Sequence, residues 1–369
     1  MRILHVCKKY PPAMGGDAVV VASLQKEQAA AGHHVAIVTS NCDEIAAGPA
    51  VYKVGLRTTP AGLDKITPGR LLSLVTLALR LVGIVRRERP DIIHTHSADL
   101  ALAASLAARL YGVPMVHTFH IVTFYDRQQS ALRRLTELWL IKHARPRVIT
   151  APNTYDVQKL RAAGLKQTTL LPNGVDLTFW RRGDRLRHSA EFEFLSVGRL
   201  EPQKGYEYLI KATALLADAT ARPFRVTIVG DGSQGPALRE LAQRLGVGDR
   251  LSLVGPKTPA EVRALLAQAD VMVVPSLYET TPLTLLEAWA AGVATIVTPV
   301  GIMRTAPPDF EAAFVVPAKD APALMIAMNH CLTAPPLRLR VAARGQAEAK
   351  QYAWPRIAQL AETIYRGAQ

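Results

Sequence analysis

Short β-rich runs alternate with amphipathic stretches along the whole chain. "RILHVC", "HVAIVTS", "DIIHTH", "PMVHTFH" and "RVITA" come first, each followed by a helix-like segment and a polar break; "EFEFLSVG", "FRVTIVG", "RLSLVG", "DVMVVPS" and "ATIVTP" then begin the series again. Strands that alternate with helices of this length build βαβ units, and βαβ units build parallel sheets. Two such series predict two doubly wound, Rossmann-like α/β domains. The turn-rich and Arg-rich stretch at residues 171–194 is the best boundary. We expect a first domain over 1–180, a second over 181–350, and a C-terminal helix over 351–369 that packs back on the first. In parallel sheets ligands sit at the carboxyl ends of the strands, so two domains facing across a central cleft would present their strand-exit loops to it.

The totals narrow the class. A length of 369 residues suits two or three domains, and 49% hydrophobic content is ample for buried cores. Met1 leads directly into a strand-like run, which points to a cytoplasmic start. The three cysteines, Cys7, Cys42 and Cys331, are far apart and make neither a disulfide framework nor a zinc-type ligand set. The longest apolar stretch, residues 71–85, carries Arg80 in its middle and is too short for a spanning helix. Of the formal charge of +14, residues 1–185 hold 25 Lys+Arg against 13 Asp+Glu, while 186–369 hold 19 against 17. The first half either meets something anionic or is merely kept soluble by its charge.

One stretch carries an anomaly. In "PSLYETTPLTLLEAWAAG" (275–292), Glu279 lies in a polar strand-exit turn, and Glu287 lies in a helix otherwise made of Leu, Ala and Trp. Pro282 should be the first helical residue and Gly292 the stop. An ionised carboxylate on an apolar helix needs partners. Either Glu287 caps a loop or pairs with an Arg, or its partners are hydroxyls of a ligand. "SVGRLEPQKG" places Arg199 just beyond a strand and Lys204 at the start of the next helix, two cations suited to a diphosphate unless they are merely solvated.

Gly15 and Gly16 join the first strand to the first helix, where small residues admit a ligand to the backbone and the helix start offers N–H groups. "IVGDGSQG" matches G-x-G-x-x-G at Gly230, Gly232 and Gly235, but Asp249 precedes a strand instead of ending one, so the ribose partner of a dinucleotide site is missing. The same glycines could still hold a nucleotide in another manner. His94 and His96 share a strand face, yet no Asp-x-Asp pair or Cys ligand supports a metal there. These histidines, with His117 and His120, fit better as donors to a bound polar ligand, His120 foremost as the last residue of its strand.

With those residues assembled, the chain resembles GT-B glycosyltransferases, and within them glycosyltransferase family 4. "YPPAMGG", "AAGHHVAIVT", "DIIHTHS", "PMVHTFH", "LPNGVD", "VGRLEPQKG", "IVGDG" and the Glu-x7-Glu stretch 279–287 stand in the family's order and at its spacing. The resemblance implies retaining transfer of a sugar from a nucleotide-diphosphate sugar to a hydroxyl acceptor, with no cofactor and no metal. It implies that Arg199 and Lys204 hold the leaving diphosphate, helped by Gly198 and by backbone N–H groups near Thr281, Leu283 and Thr284. Glu287 would accept from ribose hydroxyls and Glu279 from the transferred sugar. His120, Gly15 and Gly16 would reach the donor from the first domain, and Gly230 and Gly232 would line its nucleotide. No side chain is an evident nucleophile.

The chain departs from the family at Thr280 and Thr281, where Gly or a bulky residue is commoner. It departs again at Ala294 in place of Pro, and at Ile302 and Arg304 in "VGIMRTAPPD". A catalytically silent nucleotide-sugar binder and a hydrolase using both carboxylates are the alternatives, the second leaving Arg199 and Lys204 without a task. Nucleic acid would rest on charge alone. The basic stretches 86–90, 127–147 and 179–188, mixed with Leu and Trp, suit an anionic or lipid-linked acceptor or peripheral contact with anionic lipid at the inner face of a membrane; solvated helix faces would explain them as well.

Overall fold

The computed structural model describes residues 1–11, 15–39, 51–54, 68–121, 131–183, 191–307 and 310–369. Cys42, residues 127–130 and 184–188 of the basic stretches, and Pro12–Met14 of "YPPAMGG" therefore lie outside the described residues. The chain packs as two units, Met1–Gly174 together with Trp354–Gln369, and Val175–Ala353. The crossings thus fall at Gly174 and Ala353, where the sequence reading has 180 and 350.

The first unit is a seven-stranded sheet of β1 (Arg2–Cys7), β2 (His34–Thr39), β3 (Val51–Lys53), β4 (Ile92–Thr95), β5 (Met115–Thr118), β6 (Val148–Ala151) and β7 (Thr168–Leu170). Its order is β3-β2-β1-β4-β5-β6-β7 and every pairing is parallel. Both faces are covered, and side chains alternate between them. Leu4, Val6, Ile93, Met115 and Ile149 face the helices Pro68–Glu88, Ala98–Tyr111 and Ala131–Ala144. Ile3, Cys7, Ile37, Ile92 and Val116 face Gly16–Ala30 and the C-terminal helix Trp354–Ala368.

The second unit repeats the plan with β8 (Phe192–Val197), β9 (Phe224–Val229), β10 (Leu251–Leu253), β11 (Val271–Val274), β12 (Ala294–Val297) and β13 (Phe314–Val315), again all parallel, in the order β10-β9-β8-β11-β12-β13. Phe194, Phe224, Val226 and Val271 build the core on one face; Leu195, Met272, Leu286 and Trp289 build it on the other. Three short strands, β3, β7 and β13, escape the sequence reading. Each is two or three residues long and closes a sheet edge, so none shows enough alternation to register.

The C-terminal helix belongs to the first unit. Trp354, Ile357, Ala361 and Tyr365 are buried with Val20, Val21 and Leu24, and a side chain at Gly174 would strike the Trp354 ring at 2.4 Å. Replacing Trp354 by alanine should therefore destabilise the first unit by about 3–5 kcal/mol, the usual range for a large aromatic cut from a core. Hydrogen-exchange mass spectrometry should find Gly16–Ala30 and Trp354–Ala368 deprotected first. Unchanged exchange in both helices would show that this contact carries little of the unit's stability.

Candidate functional site

In each sheet the order of growth reverses beside the first strand. β8 has β9 on one side and β11 on the other. The helix after β8, Tyr206–Ala219, packs in one core layer, and the helix after β11, Leu283–Ala290, packs in the opposite layer. Connections that leave in opposite directions open a crevice at the carboxyl ends of the two strands. The residues singled out in the second half of the sequence come from these loops and the helices they enter.

After β8 the chain runs through Gly198 and Arg199 into a 3-10 turn, Pro202–Lys204, before the helix begins at Tyr206. Lys204 is thus in the turn, not at the helix start. Gly205 follows in the left-handed region, where a Cβ would lie 2.2 Å from the Pro275 carbonyl oxygen. Only glycine allows that approach. It brings the turn against the exit loop of β11, where the Leu277 N–H donates to the Gln203 carbonyl at 2.7 Å.

Lys204 and Glu279 meet there. The Lys204 ammonium donates to Glu279 Oε1, and the Ser276 hydroxyl donates to the same oxygen at 3.1 Å. Their side chains are 17% and 15% exposed. A Cβ at Gly198 would lie 2.8 Å from the Tyr206 hydroxyl and 3.4 Å from Lys204 Cε, so this glycine leaves room for the lysine. Burial, reinforced by the Glu279 charge, pushes the Tyr206 hydroxyl up, so it stays protonated. Arg199 is exposed at the exit of β8.

Gly230 and Gly232 have a different local task. A Cβ at Gly230 would lie 2.0 Å from the Gly198 carbonyl oxygen, and one at Gly232 would lie 2.6 Å from that of Leu200. They let the exit loops of β8 and β9 run against each other, with Leu200 N–H donating to Asp231 O at 2.9 Å.

Helix Leu283–Ala290 starts one residue later than the sequence suggests, with Pro282 at the N-cap and no side chain capping it. The N–H groups of Leu285 and Leu286 return to the Pro282 carbonyl; those of Leu283 and Thr284 have no acceptor among the described residues. They are the first-turn donors that hold an anion at a helix start. Thr280 and Thr281 are buried just before them, and the Thr280 carbonyl lies against Gly301, where a Cβ would come within 2.3 Å of its oxygen. Gly292 ends the helix in the left-handed region, with its N–H on Trp289 O and that of Val293 on Ala288 O.

Glu287 lies in the second turn of this helix between buried neighbours, Leu286 and Ala288. Among the described residues no group hydrogen-bonds or ion-pairs with its carboxylate. Part of the residue is solvent-accessible, yet protein atoms surround the carboxyl closely enough that burial pushes it up to about 7. Neither partner that a purely structural role requires, a capped loop or an arginine, is present among the described residues.

In the first unit, Gly15 has φ 154° and precedes helix Gly16–Ala30; a Cβ there would lie 2.6 Å from Asp17 Oδ1. His120 lies two residues beyond β5, not within it. Its Nε2 is 3.0 Å from His96 Nδ1, and His96 Nε2 is 3.0 Å from His5 Nδ1. His94 bonds Tyr365 and Thr118, both at 2.6 Å, and His117 bonds Thr95 at 2.9 Å. Burial holds His5 down at about 4, His117 at about 3, and His94 and His96 well below the ordinary histidine range. Ligating nitrogens of His5, His94 and His96 lie within 4.8 Å of one another. Nothing in the sequence pattern singles out His5, Gln28 or Tyr365, because their convergence depends on helices distant in the chain. Beside them, Lys8 and Asp99 pair at 2.7 Å. Burial alone would raise the Asp99 carboxyl, but Lys8, Ser97 and the Leu100 N–H together hold it low.

The two doubly wound units have the fold of GT-B glycosyltransferases, and the comparisons with known proteins place the chain in that class. Residues 14–179 match the family described as Glycosyltransferase Family 4, and residues 182–348 the one described as Glycosyl transferases group 1. The chain is 31% identical to the glycogen synthase of Mycobacterium tuberculosis, across 100% of its own length and 95% of that protein's. It is 28% identical to the D-inositol 3-phosphate glycosyltransferase of Streptosporangium roseum, across 96% and 88%. Among solved structures it is similar to sucrose-phosphate synthase from Thermosynechococcus elongatus, with TM-score 0.84, 24% identity and coverage of 100% and 99%. It is also similar to Anabaena HepE in complex with UDP and glucose, with TM-score 0.79, 19% identity and coverage of 98% of each chain. At those identities the structural likeness speaks to the fold alone. The chain belongs to glycosyltransferase family 4 and is a nucleotide-sugar-dependent glycosyltransferase. Among the described residues no helix is long and apolar enough to cross a membrane.

The Glu287 carboxyl titrates near 7 when folded, above its ordinary 4.5. Its ionisation therefore opposes folding: the penalty is absent below the unfolded value, grows as pH rises, and is complete above 7. Glu287→Gln should stabilise the unliganded protein by about 2 kcal/mol near pH 8, after discounting for solvent access, and by nothing near pH 4.5. Urea titrations at the two pH values measure the difference. Equal stabilities at both would show that the carboxylate already has a partner.

Proposed function

We propose that the protein transfers a sugar, with retention of anomeric configuration and without a metal, from a nucleotide-diphosphate sugar to a hydroxyl acceptor. The observation that carries this reading is Glu287, a carboxylate on an apolar helix with no partner among the described residues. The hydroxyls of the nucleotide's ribose supply the missing donors. Arg199, Lys204, the backbone at Gly198 and the first-turn N–H groups of Leu283 and Thr284 receive the diphosphate, with Thr281 beside them. Gly230 and Gly232 contribute by closing the β9 exit loop around the nucleotide. Glu279 accepts from hydroxyls of the transferred sugar; His120, Gly15 and Gly16 are the donor contacts that the family resemblance implies in the first unit.

The Lys204–Glu279 pair gives this reading a physical logic. Without ligand the two charges neutralise each other; an incoming diphosphate competes for Lys204 and frees Glu279 for the sugar. As the bond from the sugar to the diphosphate breaks, its electron pair goes to the phosphate oxygen, whose growing charge Arg199 and Lys204 stabilise. The acceptor hydroxyl bonds to the oxocarbenium-like carbon on the same face and gives its proton to the departing phosphate oxygen. Side chains hold charge and geometry throughout, and none becomes covalently attached. A metal-free reaction is consistent with the histidine group, whose ring nitrogens are engaged with one another, Gln28, Tyr365 and Thr118.

Nucleotide release from a panel of UDP-, GDP- and ADP-sugars, with and without chelator, tests the proposal. Lys204→Ala should lower kcat/KM for the accepted donor by about 100-fold or more, the scale of losing one preorganised partner for developing charge. Thermal stabilisation by a donor without turnover, for every acceptor tried, would instead mark a binder.

The acceptor side favours an anionic membrane surface. Helices Pro68–Glu88, Ala98–Tyr111 and Ala131–Ala144 pack side by side in the first unit. They leave Leu72, Leu79, Leu110, Leu132, Leu135 and Trp139 exposed, Leu135 at 66% and Trp139 at 53%. Lys142, Arg145 and Arg147, which follow Trp139 closely in the chain, are exposed as well. Exposed apolar side chains with exposed cations close by in the chain suit shallow docking on anionic lipid, where an acceptor carrying phosphate or lipid diphosphate would reside. Co-sedimentation with phosphatidylglycerol vesicles should exceed that with phosphatidylcholine vesicles and weaken as salt is raised. Equal pelleting with both would overturn this part.

A further inference from the structure

Along β1 and β4, the face beneath helices Gly16–Ala30 and Trp354–Ala368 is apolar at Ile3, Cys7 and Ile92 but polar at His5, His94 and His96. Burying imidazoles and an amide costs free energy that Leu or Val at the same places would not. Full hydrogen bonding offsets much of that cost. It does not explain why the polar groups are there. Their arrangement does: they form one unbranched chain leading from the middle of the unit to the loop after β5.

The chain has a direction. The Gln28 side-chain nitrogen donates to the Tyr365 hydroxyl at 3.2 Å, which leaves Gln28 Oε1 as acceptor for His5 Nε2 at 2.8 Å. A neutral imidazole that donates through Nε2 accepts through Nδ1. His5 Nδ1 therefore accepts from His96 Nε2, and His96 Nδ1 accepts from His120 Nε2, each across 3.0 Å. The Tyr365 hydroxyl in turn donates to His94 Nδ1, and His94 Nε2 to Thr118. One proton sits between each pair of nitrogens, and the orientation of one amide sets every tautomer after it. His120, past the end of its strand, also stacks on His96 with ring centroids 5.2 Å apart and planes 21° from parallel.

We infer that Gln28, His5 and His96 are positioning residues for His120, holding its ring in one orientation and in the tautomer protonated on Nε2, with Nδ1 as the acceptor nitrogen. The inference rests on the reading that His120 contacts the transferred sugar, and it changes what His120 does there. The strand-end pattern suggested a donor; the relay uses the ring's only N–H internally, so His120 has no hydrogen left to give to a sugar hydroxyl. Burial keeps His5 and His96 neutral across the physiological range, so the relay is not broken by protonation.

The test is a long-range nitrogen–proton correlation spectrum of the full chain labelled with nitrogen-15 histidine. His120 should show a pyrrole-type Nε2 and a pyridine-type Nδ1; the opposite pattern overturns the inference in the wild-type protein, before any variant is made. His96→Leu removes the acceptor and should release His120 into a mixture of tautomers, with kcat down about tenfold, the scale of losing an outer partner of an oriented imidazole. His96→Asn, whose side-chain oxygen can still accept from His120, should recover most of both. An unchanged His120 tautomer in His96→Leu overturns the relay. His120→Ala separates the two readings: if it is fully active, His120 does not contact the sugar. If it is inactive while His96→Leu, with altered tautomer, keeps full kcat, the positioning role fails.

Discussion

Every pairing in both sheets is parallel, and most of what the protein can do follows from that. Parallel neighbours need a crossover connection, and all strand exits of a sheet therefore lie along one edge. Growth of the sheet in both directions from β8 sends the next helices to opposite faces, so the loops after β8 and β11 diverge and leave a crevice. Lys204 and Glu279 are about 75 positions apart in sequence, and this topology alone makes them neighbours. Backbone contact then fixes the pair: Gly205 lies against Pro275, and Gln203 accepts from Leu277.

That division of labour decides what could be read from the sequence. The two parallel-sheet units were legible because strand and helix periodicities differ and the series visibly restarts near residue 190. The Glu-x7-Glu stretch was legible because a carboxylate on an apolar helix conflicts with its surroundings, and a conflict of that kind can be seen locally. Short edge strands were not, since β13 is only two residues long. Nor was the glycine logic. Gly230 and Gly232 look like a phosphate-binding fingerprint, yet each is required by the backbone of a neighbouring loop, a contact no one-dimensional pattern encodes. The role of the C-terminal helix was half legible: its amphipathic pattern announces a buried face, but not that Tyr365 joins Gln28 and His94 from more than 270 positions away.

The two units treat buried polarity in opposite ways, and the contrast bears on function. In the first, His5, His94, His96, Gln28 and Tyr365 are satisfied by one another together with Thr118 and His120, and burial keeps the His5, His94 and His96 rings neutral. A network complete without ligand can orient a neighbour but gains nothing directly from a substrate. In the second, Glu287 has no partner, and the first-turn N–H groups of Leu283 and Thr284 have no acceptor among the described residues. Groups left this way raise the free energy of the empty protein, and a ligand that completes them recovers that cost as binding energy. The Lys204–Glu279 pair stands between these cases, satisfied when empty yet built from two groups that a diphosphate sugar would separate. A donor carrying both an anion and hydroxyls matches all three deficits at once: the anion for Lys204 and the helix start, and hydroxyls for Glu287 and the freed Glu279. Inorganic phosphate or a free sugar would meet only part of them, which is why the second unit is read as a nucleotide-sugar site and not as a simple anion site.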